Sequence, residues 1–93
     1  MLPKSIIELQ NQLTTFSNKP ASIVQGGFLR SQFSISQLHY FVEYEILSVM
    51  DEKSENFIKI NLNQIYQIET LPEKIILSLD NDTTITITSK LVL

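Results

Sequence analysis

Beyond Pro20 this chain carries several runs in which apolar residues fall at every second position. Ile75, Leu77 and Leu79 alternate, and Ile85 and Ile87, like Ile58, Ile60 and Leu62, are separated by polar residues. A period of two places alternate side chains on opposite faces of an extended strand. Heavy use of Ile, with Thr clustered near the end, favours pleated and half-buried surfaces. The chain after Pro20 is therefore read as mostly β.

The first segment has a different period. Leu2, Ile6, Leu9, Leu13 and Phe16 recur at spacings of four, three, four and three, which makes one helical stripe. Ser5 and Glu8 fit the S-x-x-E capping box, and Asn18 and Pro20 lie where a helix would end. The pattern predicts a helix over 5–17. The same stripe fills two coiled-coil heptads, too short to hold a dimer alone. Docking on the chain's own sheet is expected instead.

The expected strands are 21–29, 33–36, 38–50, 57–69, 74–80 and 83–88. Gly26-Gly27 interrupts the first and predicts a bulge, a tight bend or a close backbone approach. In the long 38–50 strand, Leu38, Tyr40, Val42, Tyr44 and Ile46 share one face. His39, Glu43 and Glu45 share the other, with Phe41 among them. The phase then shifts to Leu47 and Val49, which predicts a bulge or a bend. A polar loop at 51–56 leads to the 57–69 strand, which slips phase at Asn63-Gln64. Leu71-Pro72 and Asp80-Asn81-Asp82 mark turns around a second hairpin. The apolar ending Leu91-Val92-Leu93 is expected to be packed.

These elements predict an α+β, mostly β, single domain over 1–93. An N-terminal helix packs on an antiparallel, strongly bent sheet or small barrel of about five strands. A chain of 93 residues has room for one domain and buries roughly 60–65% of its unfolded surface, so the core is thin. A composition 43% hydrophobic and 18% charged is that of a globular chain rather than a disordered one.

Charge and composition narrow the function. The net charge is −3, and all of it arises after Met50, where seven carboxylates face four lysines. No basic run exists, and Arg30 is the only arginine. That balance does not favour extensive contact with a phosphate backbone. The absence of cysteine excludes disulfides, thiol catalysis and Cys-ligated zinc. No segment reaches the roughly 18 continuous apolar residues of a membrane span. Lys4, Glu8, Gln10 and Gln12 break up the N-terminal stretch, unlike a signal peptide. A cytoplasmic protein with no membrane contact is expected.

No catalytic or metal constellation is legible, and neither an enzyme nor a cofactor is expected. His39 is the only histidine and has no orienting partner or nucleophile in the pattern. Asp80-Asn81-Asp82 lacks the glycine and distal glutamate of a calcium loop, because Ile85 and Ile87 stand where oxygen ligands belong. Gly26-Gly27 lacks the rest of a phosphate loop. Glu43 and Glu45 fall on a polar strand face and read as solvated.

Two sets of residues remain as candidates. Arg30, His39, Tyr40 and Phe28 form the densest aromatic and cationic stretch, suited to stacking a base or nucleotide. The Thr83–Thr88 strand is uncharged and Ile-lined, and such a strand at a sheet edge pairs readily with another chain. On this view Thr84, Thr86 and Thr88, with Leu91 and Leu93, form an assembly edge. The order of a helix and then about five bent strands resembles the small barrels of the Sm-like type. Those proteins assemble into rings through strand edges, and many bind RNA or nucleotides. The resemblance rests on element order and transfers no residue. The leading expectation is a non-enzymatic module for protein interaction or self-assembly through strand edges, as a homo-oligomer or with a protein partner. The alternative is a small-barrel module binding RNA or a small nucleotide.

Overall fold

The computed structural model describes residues 4–27, 30–80 and 82–89, and only the backbone of residues 4 and 5. The expected sites Phe28, Leu91 and Leu93 lie outside the described residues. Among the described residues one helix, α1 (Lys4–Phe16), precedes eight strands: β1 (Ala21–Gly26), β2 (Ser31–Ile35), β3 (Leu38–Glu43), β4 (Ile46–Asp51), β5 (Phe57–Asn61), β6 (Ile65–Leu71), β7 (Lys74–Leu79) and β8 (Thr84–Ser89). They form two antiparallel sheets, ordered β2-β1-β8-β7-β6 and β3-β4-β5. Neither sheet closes on itself.

The helix begins one residue before the Ser5 expected to cap it. Its stripe is buried as the spacing predicts, at Ile6, Leu9, Leu13 and Phe16. The helix ends as Asn18 turns left-handed at φ 63°, a conformation that asparagine tolerates. The Asn18 N–H then donates to the Leu38 carbonyl at 2.9 Å, and the Leu38 N–H to the Lys19 carbonyl at 3.1 Å. Two side chains fasten the helix to both sheets. The Tyr40 hydroxyl on β3 meets the Gln10 carbonyl and the Thr14 hydroxyl, and the Gln12 amide donates to the Leu71 carbonyl at the end of β6.

The alternating residues meet in one core. Ile23, Ile35, Ile75, Leu77, Ile85 and Ile87 from the larger sheet join Leu38, Leu47, Val49 and Ile60 from the smaller, and Leu9, Leu13 and Phe16 fill in from the helix.

Three expectations are corrected. The 38–50 segment is not one bent strand but the hairpin β3–β4, closed by a two-residue turn at Tyr44-Glu45. The phase shift at Ile46 is the chain reversing direction. The 57–69 segment is β5 and β6, split by a 3-10 turn (Leu62–Gln64) that carries the chain from the smaller sheet to the larger. The β8 strand is not an edge: it pairs with β1 on one side and β7 on the other. Its backbone hydrogen bonds are committed within the sheet, so Thr84, Thr86 and Thr88 have no open ladder to offer. Among the described residues the edge strands are β2 and β6 in the larger sheet and β3 and β5 in the smaller.

Candidate functional site

Strand register assembles a surface on the outer face of the β3–β4–β5 sheet. Tyr40, Val49 and Ile58 form a row facing the core, as do Val42, Leu47 and Ile60. The intervening residues must face outward. They stand in three rows: His39–Met50–Phe57, Phe41–Ser48–Lys59 and Glu43–Ile46–Asn61.

That outward face is unusually apolar for one turned to solvent. Phe41 is 39% exposed and Phe57 59%. Tyr44, at the tip of the β3–β4 turn, is 89% exposed. Ser48 in the middle of the central strand is only 2% exposed, despite facing out, because Phe41 and Lys59 flank it on the adjoining strands. The Lys59 ammonium stands 6.0 Å from the centroid of the Phe57 ring, at the outer limit of a cation–π contact.

Two shallow concavities lie on this face. One, of about 540 Å³, runs toward Tyr44, Ile46 and Gln64. The other, of about 320 Å³, runs toward Met50, Phe57 and the 52–56 loop. Phe41 and Lys59 line both and stand between them, so the two concavities follow one another along the strands as a trough with a raised middle.

Each end of the trough is held by a specific device. At one end the Leu62 N–H donates to the Glu45 carbonyl at 2.9 Å and the Asn63 amide to the Glu45 carboxylate at 2.5 Å. The turn is thereby fixed to the crossover between sheets. At the other end Asp51 organises the loop. Its carboxylate accepts from the Lys53 N–H at 2.9 Å, the Ser36 N–H at 3.0 Å, the Gln37 N–H at 3.1 Å and the Ser54 hydroxyl at 3.0 Å. These donors, led by the Lys53 and Ser36 N–H groups, hold its pKa down to about 2 against the opposing effect of burial. With its oxygens so engaged, Asp51 is a structural clasp between the β2–β3 corner and the β4–β5 loop.

The remaining charges frame the trough. Glu43 and Glu45 lie at the Tyr44 end, and Glu52, Lys53 and Glu55 at the Phe57 end, all exposed. Lys59 is central. Among the described residues no three His, Asp or Glu side chains converge as a metal ion needs.

The residues singled out from sequence do not form one site. His39 is on the outer face at the trough's loop end, with Nδ1 3.5 Å from the Glu52 carboxylate. Tyr40, its neighbour, points the opposite way and spends its hydroxyl on the helix. Arg30 is exposed ahead of β2, at the end of that strand away from the corner that leads to His39. Thr84, Thr86 and Thr88 lie on the outer face of the other sheet, in line with Val24 and Ile76. Sequence reasoning missed Phe57 and Tyr44 as surface groups. The signal for Phe57 was present: it stands out of phase with Ile58 and Ile60.

Compared with protein-family models, with curated proteins and with solved structures, the chain matches none.

Proposed function

We propose that this protein is a non-enzymatic interaction module that binds a protein partner on the outer face of its β3–β4–β5 sheet. One observation carries the proposal. Six large apolar side chains are exposed among the described residues, and Phe41, Tyr44 and Phe57 gather on this one face and its hairpin tip. Aromatic side chains with Met and Ile beside them are the composition of an interface centre, and the charged groups fall at its rim. The adjoining edge of β5 extends the same surface, although Lys59 in mid-strand guards it against indiscriminate pairing. The two sheets, joined by continuous chain at β2–β3 and β5–β6, are read as a small barrel opened at its corners.

A photo-crosslinking residue at position 57, expressed in the host, tests the proposal. A discrete protein adduct is expected from position 57 and none from position 67 on β6, whose side chain is exposed on the other sheet. No adduct at 57, or equal labelling from both positions, would overturn it.

A nucleotide-stacking role is the second reading, because Phe41, Phe57 and Lys59 together offer rings and a cation. The carboxylates at both ends weigh against a phosphate-bearing ligand. A raised ratio of absorbance at 260 to 280 nm in the purified protein would favour it.

A further inference from the structure

If the outer face of β3–β4–β5 is an interaction surface, its charge pattern specifies the chemistry of what lies on it. We infer that the partner contributes an extended segment, apolar in the middle and basic at both ends, laid along the trough. The inference rests on the interaction reading above and deepens it.

Length comes first. From Glu43 to His39 the strand covers four residue steps, roughly 14 Å, and the turn and loop extend the trough beyond both rows. An extended segment of about five to seven residues matches that span.

Charge comes second. Several of the acidic groups nearby are already engaged. Asp51 has four donors, Glu45 holds Asn63, and Glu52 stands beside His39. Glu43 and Glu55 remain, one lining each concavity, both exposed. Each end of the trough thus keeps a carboxylate outside any ion pair among the described residues, and the loop end stays net acidic with Glu52 and Glu55 against Lys53. Between those carboxylates Phe41, Phe57, Met50 and Ile46 ask for apolar side chains, while Lys59 in the central row keeps its ammonium beside the Phe57 ring.

The same pattern disfavours a second copy of this chain. An isologous dimer brings the same patch against itself. Whichever way a two-fold axis runs in the plane of the face, acidic end meets acidic end. An axis through the centre also sets Lys59 near its own copy. Like charges so juxtaposed oppose association.

The test uses two blocked seven-residue peptides with the same Val-Tyr-Val-Tyr-Val centre, one with lysine at both ends and one with glutamate. Each is titrated into the ¹⁵N-labelled full chain and followed by amide shifts. The lysine-ended peptide is expected to move the amides of Phe41, Ser48, Phe57 and Lys59. It should bind roughly tenfold more tightly than its twin, as two exposed ion pairs allow. That advantage should shrink in the Glu43→Gln/Glu55→Gln variant and at high salt. Equal binding of both peptides at this face would overturn the charge inference and leave the interaction reading standing. No shift at the face from either peptide would overturn both. Loss of the same amide signals on concentrating the protein alone would place a second copy there and overturn the basic-segment inference.

Discussion

The side-chain amide of Asn63 donates to the carboxylate of Glu45 at 2.5 Å, so the tip of the β3–β4 hairpin is anchored to the turn where the chain changes sheets. That anchor holds an unfavourable backbone. Tyr44 and Glu45 both have positive φ, 52° and 64°, in a two-residue hairpin loop. This is the pattern of a type I′ turn, which normally takes Asn-Gly. Left-handed backbone costs an ordinary L-residue roughly 1–2 kcal/mol. Tyr44→Asn is therefore expected to stabilise the fold by about 0.5–1 kcal/mol, since asparagine tolerates this region. Urea unfolding at unchanged m-value checks it. Glu45→Gly should gain less, because it relieves the backbone but releases Asn63.

Gly26 and Gly27 are adjacent and make opposite demands. Gly27 has φ +132°, and a Cβ there would lie 2.8 Å from the Asp82 carbonyl oxygen and 3.3 Å from the Thr83 Cα. Both neighbours are backbone and cannot swing aside. Gly27→Ala is expected to destabilise by about 2 kcal/mol or more. A Cβ on Gly26 would meet nothing within 4 Å, and its φ lies outside the glycine region. Gly26→Ala should be neutral, or stabilising by up to about 1 kcal/mol through the unfolded chain. Thermal unfolding of the two variants side by side separates these outcomes.

The β-rich class, the helical stripe and most strand cores were legible because they depend on local periodicity. The failures share a different cause. Tyr44-Glu45 carries none of the Gly, Asn or Pro chemistry by which a turn is recognised, so a hairpin read as one long strand with a phase shift. The slip at Asn63-Gln64 coincides with the 3-10 turn, but a phase change looks the same whether the chain bends within a sheet or crosses to another. Whether β8 is an edge depends on β1 returning to it across some sixty residues, and alternation of Thr and Ile looks the same in either place. The candidate site is half legible. The alternation puts Phe41 in phase with His39, Glu43 and Glu45, whereas Phe57 acquires meaning only once β4 brings it beside Met50 and Lys59 into line with Phe41.

Tyr40 links the helix to the smaller sheet through its hydroxyl as well as its packed ring. That oxygen lies 3.1 Å from the Gln10 carbonyl and 2.6 Å from the Thr14 hydroxyl. Removing it leaves the ring packed and the two partners near solvent. Tyr40→Phe is expected to cost about 0.5–1.5 kcal/mol, the net worth of such a bond. Hydrogen exchange should also show faster opening of the Gln10–Phe16 turns while β7 and β8 keep their protection. Uniform loss of protection across the chain would contradict this local role.

Asp51 sets the acid limb of stability. Its pKa is lowered to about 2 from an ordinary value of 3.8, chiefly by the Lys53 and Ser36 N–H groups. A carboxylate whose folded pKa is depressed binds its proton more readily when unfolded. Its contribution is therefore complete above the unfolded value and fades as pH falls from about 4 toward 2. Stability should drop across that window at constant ionic strength. In Asp51→Asn the drop should be shallower, because the titrating group is gone, and stability at pH 7 should be lower, because a neutral amide accepts these bonds more weakly and only through one oxygen. Asp51→Ala should lower it further at pH 7, leaving the Ser36, Gln37 and Lys53 N–H groups without their acceptor. Melting temperatures of the three proteins from pH 7 to pH 2 give the comparison. Parallel acid limbs in native protein and Asp51→Asn would assign the acid sensitivity to other carboxylates. Convergence of the native and Asp51→Asn curves near pH 2, with Asp51→Ala below Asp51→Asn throughout, is the expected result.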